Sequence, residues 1–169
     1  LDVQKGFDWL IESFSVLAKK YPNWDLVILG EGPLRTTLEG QVRTAGLGER
    51  VFLPGRAGNV VEWYERADLY VMSSRFEGFP NTLVEAMAHG LPVVSFDCDT
   101  GPRDIMRHEV DGLLVPPGDV VALTAAMDLL MSDAALRQRL AERAGEVRER
   151  FSMKRIAGMW EKLFEETHK

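Results

Sequence analysis

Two glutamates with seven residues between them, Glu77 and Glu85, are the residues whose types and spacing point most directly to chemistry. Glu77 precedes Gly78 in a segment whose glycine and proline are typical of a loop. Glu85 lies in the apolar stretch 83–88, which predicts a short helix. The loop follows a predicted strand, and ligands of open α/β sheets bind at the carboxyl ends of strands. The sequence therefore predicts a ligand site that contains both carboxylates.

The apolar neighbours of Glu85 predict that its helix is largely buried, so that the carboxylate needs partners. An ionised group buried without hydrogen bonds costs several kcal/mol, whereas a vicinal diol offers two O–H donors that match the two carboxylate oxygens. A ribose would satisfy this requirement. A structural carboxylate that caps a neighbouring backbone segment would satisfy it equally well.

Glu77 alone would be interpreted as an exposed surface acid, but its loop has a second feature. The predicted helix begins near Asn81, and its free N–H groups and positive dipole end point into the same loop, where they can hold a phosphate. An acid, an anion site and a second acid within nine residues indicate a site for a neutral sugar carried on a charged nucleotide.

The elements that must position this site are short apolar strands alternating with helices. This alternation predicts an α/β fold with a doubly wound, Rossmann-like parallel sheet covered on both faces. The predicted strands are 25–29, 51–53, 69–72, 92–96 and 112–115. One predicted helix, 5–20, precedes them, and the helices predicted between them are 34–45, 60–66, 82–89 and 103–107. The last third predicts three consecutive helices, 120–131, 134–150 and 153–167, each with one apolar face that we expect to be buried.

Composition limits the remaining functions. A chain of 169 residues fits one domain, and its net charge of −6 argues against non-specific binding to nucleic acid or anionic lipid. The single cysteine, Cys98, excludes an internal disulfide and a multi-cysteine zinc site, so the expected compartment is the cytoplasm. The Asp-x-Asp motif of Asp97-Cys98-Asp99 is also found in metal sites, but at these positions the sequence favours a turn. Pro33 interrupts the glycine pattern that an NAD site requires.

The motifs around the two glutamates, Ser-x-x-Glu-Gly-Phe-Pro-Asn and Glu-Ala-Met-Ala-x-Gly-x-Pro-Val-Val, resemble the C-terminal donor-binding domain of family 4 (group 1) retaining glycosyltransferases of GT-B fold. The resemblance covers nearly the whole chain. Lys5-Gly6 is similar to the family's phosphate-binding lysine, residues 30–33 to its glycine loop, 52–55 to its base-side strand and 112–115 to its last strand.

The resemblance implies transfer of a glycosyl group, with retention, from a nucleotide diphosphate sugar to an acceptor hydroxyl in glycan or polysaccharide biosynthesis. Glu77 would bind the donor sugar hydroxyls, Glu85 the ribose hydroxyls, and Lys5 would neutralise the diphosphate leaving group. No metal or other cofactor is implied, because lysine, arginine and a helix terminus take its place. The other implied donor-binding positions are Gly78, Phe79, Asn81, Thr82, Leu83, Arg56, Gly30 and Gly32.

The chain opens on a predicted helix, where a doubly wound domain opens on its first strand. We therefore expect residues 1–169 to be one donor-binding domain whose first strand and N-terminal acceptor-binding lobe lie upstream, and the isolated domain to be inactive. The implied partners are a nucleotide sugar and, through the other lobe, an acceptor glycan or lipid-linked sugar, without nucleic acid or a membrane span. The full-length enzyme is expected in the cytoplasm or at the inner face of the membrane. The alternatives are another GT-B enzyme, such as a sugar-nucleotide epimerase or a phosphorylase, and a non-catalytic nucleotide-sugar binding module.

Overall fold

Strands and helices alternate through the first two thirds of the chain, as the sequence predicts. The computed structural model describes residues 1–167, and a 3₁₀ turn, Val3–Lys5, precedes the first helix. The strands are β1 (Leu26–Leu29), β2 (Val51–Gly55), β3 (Tyr70–Met72), β4 (Val93–Phe96) and β5 (Leu113–Val115). The helices among them are α1 (Phe7–Leu17), α2 (Arg35–Thr44), α3 (Val60–Arg66), α4 (Asn81–Ala88) and α5 (Pro102–Ile105).

Four helices complete the described part of the chain. They are α6 (Val120–Ser132), α7 (Ala134–Ala144), α8 (Val147–Arg150) and α9 (Met153–Thr167). The predicted single helix 134–150 is thus divided, and Gly145 is the residue that follows α7. Asp119 and Asp133 cap α6 and α7, since their carboxylates accept hydrogen bonds from backbone N–H groups in the first turn of each helix.

The strands form two parallel sheets, which confirms the predicted parallel, Rossmann-like α/β class. β1 pairs with β2, and the other sheet has the order β3-β4-β5. All four residues of β4 are buried, as expected for the central strand of a sheet that is covered on both faces. Within residues 1–167 the two sheets are not hydrogen-bonded to each other.

The main core joins helices α1 and α6 to the strands. Ile11 of α1, Phe96 of β4 and Leu123 of α6 are fully buried in one hydrophobic cluster. Each such side chain contributes about 1.5–3 kcal/mol relative to an exposed position. This packing fixes the carboxyl ends of the strands, from which the predicted site loops leave.

Helix α9 differs from the prediction. It forms over the predicted residues, but none of its residues is buried, and Trp160 and Met159 are 55% and 61% exposed. The expected burial of its apolar face is therefore wrong for the described chain, because helical periodicity shows which face is apolar and not what covers it. No helix of residues 1–167 has both the length and the apolarity needed to cross a bilayer.

Candidate active site

The loop that leaves β3 is tied to the first residues of the chain. The backbone N–H of Arg75 donates to the carbonyl oxygen of Gln4 at 2.7 Å, and the hydroxyl of Ser73 donates to the carbonyl oxygen of Lys5 at 2.9 Å. In return, the side-chain amide of Gln4 donates to the carbonyl oxygen of Phe76 at 3.0 Å. These bonds fix the start of the chain beside the loop that carries Glu77.

Gly6 allows this close approach. It has a left-handed φ of 61°, and a Cβ atom at this position would lie only 2.0 Å from the carbonyl oxygen of Ser73. Any residue with a side chain would therefore be strained and would also push the two segments apart. The backbone conformation thus explains why a glycine follows Lys5: it lets the lysine reach the β3 loop.

Lys5 and Glu77 meet in a direct ion pair. The ammonium Nζ of Lys5 lies 2.7 Å from Oε1 of Glu77, and the buried hydroxyl of Ser74 donates to the same oxygen at 2.7 Å. The Glu77 side chain is only 8% exposed, whereas that of Lys5 is 41% exposed. Both bonds end on Oε1, so within the described chain Oε2 remains for another donor. Glu77 is therefore a buried, charge-compensated acid with one acceptor oxygen left.

Glu85 lies in the opposite environment from the one predicted. Leu83, Ala86 and Met87 form the buried face of α4, whereas Glu85 is exposed. The prediction that the helix buries Glu85 is wrong, because residues at i, i+3 and i+4 share one face and a residue between them points away from it. The carboxylate has a protein partner, since Tyr64 Oη donates to its Oε2 at 3.1 Å.

Two tyrosines beneath α4 were not predicted as site residues. Tyr64 of α3 contacts Glu85, and Tyr70 of β3 donates from its hydroxyl to Thr82 Oγ1 at 2.9 Å. Burial raises the pKa of Tyr64 above its ordinary value and raises the pKa of Tyr70 to about 12, so both hydroxyls keep their protons at neutral pH. Neither tyrosine lies in the motifs that surround the two glutamates, so no sequence signal indicated these contacts.

The N-terminus of α4 opens toward the same loop. Its N-cap residue is Pro80, which makes no side-chain cap hydrogen bond. The amide of Leu83 is already bonded to the carbonyl oxygen of Pro80 at 3.0 Å, so it is less suited to an anion than the amides of Asn81 and Thr82, which precede it. Gly78 and Phe79 are exposed in the loop just before this helix end.

A second loop, at the carboxyl ends of β1 and β2, contains the predicted glycines. Gly30 has a φ of 118°, and its N–H donates to the carbonyl oxygen of Gly55 at 2.8 Å. A Cβ atom on Gly32 would lie 2.3 Å from the backbone of Leu1, and Arg56 is exposed just after Gly55. Residues 1–6 therefore run from this glycine loop to the β3 loop and connect the two halves of the predicted site.

Comparison with known proteins identifies the family of this chain. The model of the family described as glycosyl transferases group 1 matches residues 1–147. This chain belongs to that family.

The chain matches only part of the length of its curated relatives. The exopolysaccharide phosphotransferase SCO2592 of Streptomyces coelicolor is 40% identical over 163 residues, which are 96% of this chain and 17% of that protein. The chain spans less than half the length of the curated relatives it matches.

Solved structures of similar proteins share the fold. A crystal structure of an S. aureus TarM variant has a TM-score of 0.89 at 28% identity and covers 95% of this chain and 33% of the TarM chain. The crystal structure of the C-terminal domain of the group 1 glycosyltransferase LpcC from Francisella tularensis has a TM-score of 0.82 at 29% identity and covers 89% of this chain and 81% of that domain. The fold is that of the C-terminal lobe of GT-B glycosyltransferases.

Arg75 and Asp97, two charged residues near the candidate site, each bind another charged side chain of the protein. Arg75 binds the Asp8 carboxylate through both terminal nitrogens, at 2.7 and 2.9 Å, and lies 3.7 Å from the centroid of the Trp9 ring. Asp97 accepts a hydrogen bond from Arg103 Nε at 2.9 Å. In the part of the chain that the structure describes, no three His, Cys, Asp or Glu side chains are grouped so that they could hold a metal ion.

Proposed function

We propose that this chain is the donor-binding lobe of a retaining glycosyltransferase, which transfers a sugar from a nucleotide diphosphate sugar to an acceptor hydroxyl. The observation that carries the proposal is the 2.7 Å bond between Lys5 Nζ and Glu77 Oε1 beside the open N-terminus of α4. A cation, a carboxylate with one acceptor oxygen left and a helix N-terminus suit a ligand that combines an anionic diphosphate with a neutral, hydroxyl-rich sugar.

The site residues suggest the order in which the donor lies along α4. Lys5 and the first amides of α4, those of Asn81 and Thr82, would hold the diphosphate, and Oε2 of Glu77 would accept from sugar hydroxyls on one side of it. Glu85 follows Asn81 by four residues, about 6 Å along the helix axis. That distance suits a ribose attached to the phosphates, with Glu85 accepting from its 2′ and 3′ hydroxyls.

The chemical role of Lys5 in this proposal is to stabilise the leaving group. When the bond between the anomeric carbon and the diphosphate oxygen breaks, the electron pair remains on the diphosphate. Lys5 and the helix amides are preorganised donors for that charge, and such donors typically supply the largest electrostatic contribution to catalysis. The half-exposed ammonium group of Lys5 would exchange part of its interaction with Glu77 for the phosphate.

The TarM variant, which is similar to this chain, was crystallised in complex with UDP, and this supports a nucleotide diphosphate here. We propose that the acceptor, a glycan or lipid-linked sugar, is bound by another lobe of the parent polypeptide, and that a strand preceding residue 1 joins the two sheets. The chain alone would then bind donor without transferring it. The reaction belongs to polysaccharide biosynthesis and needs no metal cofactor in this proposal.

Thermal unfolding with added nucleotides tests the proposal. Uridine or guanosine diphosphate should stabilise the chain, by about 2.7 kcal/mol at one hundred times the dissociation constant, whereas NAD should have no effect. Lys5→Met should reduce this stabilisation, and Lys19→Met, at an exposed position in the turn after the C-terminal end of α1, should leave it unchanged. Stabilisation by NAD alone, or equal effects of the two lysine variants, would contradict the assignment.

A further inference from the structure

The hydroxyl of Tyr64 is the one protein donor that the described chain directs at Glu85. Tyr64 lies 21 residues before Glu85, and its Oη donates to Glu85 Oε2 at 3.1 Å. The tyrosine is only 8% exposed, whereas Glu85 is exposed. The bond therefore links a buried donor to a solvent-facing carboxylate.

The tyrosine ring is held on two sides. It stacks on the His89 imidazole with ring centroids 5.5 Å apart and an interplanar angle of 20°, and it meets Tyr70 edge-on at 6.3 Å. A glutamate in water samples many rotamers, and fixing such a side chain costs up to about 2 kcal/mol of entropy. A hydrogen bond from a fixed hydroxyl restricts the glutamate before a ligand binds, so that less side-chain entropy is lost on binding.

The bond to Tyr64 leaves capacity for a ligand. An ionised carboxylate accepts about four hydrogen bonds, and Tyr64 uses only one position, on Oε2. Two hydroxyls of a vicinal diol can therefore bind beside it.

We propose that Tyr64 is a positioning residue, whose hydroxyl orients the Glu85 carboxylate toward the ribose diol and so strengthens the preference for ribonucleotides over deoxyribonucleotides. The proposal rests on the proposed function, in which Glu85 binds the ribose. It adds a residue from α3 to a site otherwise built from the first turn of the chain, the loops after the strands and α4.

Calorimetry with uridine diphosphate and its 2′,3′-dideoxy analogue tests the role. Tyr64→Phe retains the ring stack and removes only the hydroxyl. It should weaken uridine diphosphate about threefold to tenfold, equivalent to about 0.7–1.4 kcal/mol, and leave the dideoxy analogue unchanged. Tyr21→Phe is the matched control, because Tyr21 Oη also donates to a carboxylate, that of Asp128, at 2.6 Å, and precedes β1. It should leave both affinities unchanged.

The outcomes separate this inference from the proposed function. If the wild-type chain prefers the ribonucleotide and Tyr64→Phe retains the full preference, the positioning role is wrong while the ribose assignment of Glu85 stands. If the wild-type chain binds both nucleotides equally, the ribose assignment itself is wrong. A double-mutant cycle completes the test, since Tyr64→Phe should have no further effect in a Glu85→Ala background. A further loss there would show that the hydroxyl acts independently of Glu85.

Discussion

Because Glu77 is buried and Glu85 is exposed, we expect substitutions of the two glutamates to have different effects on stability and on ligand binding. Glu77→Gln keeps the side-chain volume and removes the charge that Lys5 and Ser74 contact at 2.7 Å. Hydrogen bonds to charged groups contribute about 1.5–3 kcal/mol, and the partial exposure of Lys5 reduces this toward the value of about 1 kcal/mol for surface pairs. We therefore expect Glu77→Gln to lower the free energy of unfolding by about 1–3 kcal/mol.

Glu85→Gln should behave differently, because Glu85 is exposed. Its effect on stability should stay within about 0.5 kcal/mol, as for most surface substitutions. For the affinity of the nucleotide, we expect the larger effect from the Glu85 variant. Glu85→Gln should weaken binding of free uridine diphosphate by about tenfold or more, since it replaces the charged group that the proposed function assigns to the ribose hydroxyls. Glu77→Gln should leave that affinity nearly unchanged and instead lower turnover in the full-length enzyme, since the proposed function assigns Glu77 to the transferred sugar.

Three measurements on the two variants decide the question: thermal unfolding, calorimetry with uridine diphosphate and turnover of the full-length enzyme. The expected loss of 1–3 kcal/mol in Glu77→Gln corresponds to a midpoint lowered by about 2–12 °C for a domain of this size. If Glu77→Gln abolishes nucleotide binding while Glu85→Gln leaves it intact, the roles of the two carboxylates are wrong. If Glu85→Gln is the variant that loses stability, the burial argument is wrong.

Further predictions concern the backbone, the pH response and metals. In urea unfolding, Gly6→Ala should destabilise the chain by at least about 1–3 kcal/mol, because Gly6 has a left-handed φ. Gly40→Ala, in the open interior of α2, should stabilise the chain by about 0.4–1 kcal/mol. Equal effects of the two substitutions would contradict the backbone strain and the steric clash described at Gly6. Arg75 holds the pKa of Asp8 below its ordinary value of 3.8. The stability lost in Asp8→Asn should therefore be constant above that pH and should disappear as the pH falls below it, and a difference that grows in acid would contradict the pairing. Turnover of the full-length enzyme should survive EDTA, and a loss restored by manganese would give Asp97 a metal-binding role.

The sequence predicted the elements well where local pattern decides them. Helix α3 begins and ends at the predicted residues, and β4 differs by one residue from the predicted strand. Apolar runs bounded by glycine or proline, and apolar positions at helical spacing, are local signals. Burial is not a local property, and for this reason α9 was predicted as a helix correctly while the covering of its apolar face was not.

The candidate site shows the same division. Spacing and motif named the candidate residues Glu77 and Glu85, whose ligand-binding roles stay a prediction, but they did not give the environments of the two side chains. Glu77 is buried because Lys5, 72 residues away, and Ser74 compensate its charge. Glu85 is exposed because the buried face of α4 lies on the other side of the helix. The apolar composition around Glu85 suggested burial, whereas the phase of the helix determined the result.

The hydrogen bonds between residues 3–6 and 73–77 also define what can be exchanged between relatives in protein engineering. A chimera that imports the β3 loop and α4 alone would separate the Arg75 amide and the Ser73 hydroxyl from carbonyl partners in the first turn of the chain. It would also place a foreign loop against Gly6, where the space for a side chain is already taken. The smallest transplantable unit for altering donor preference is therefore discontinuous, and a successful graft must carry both segments together.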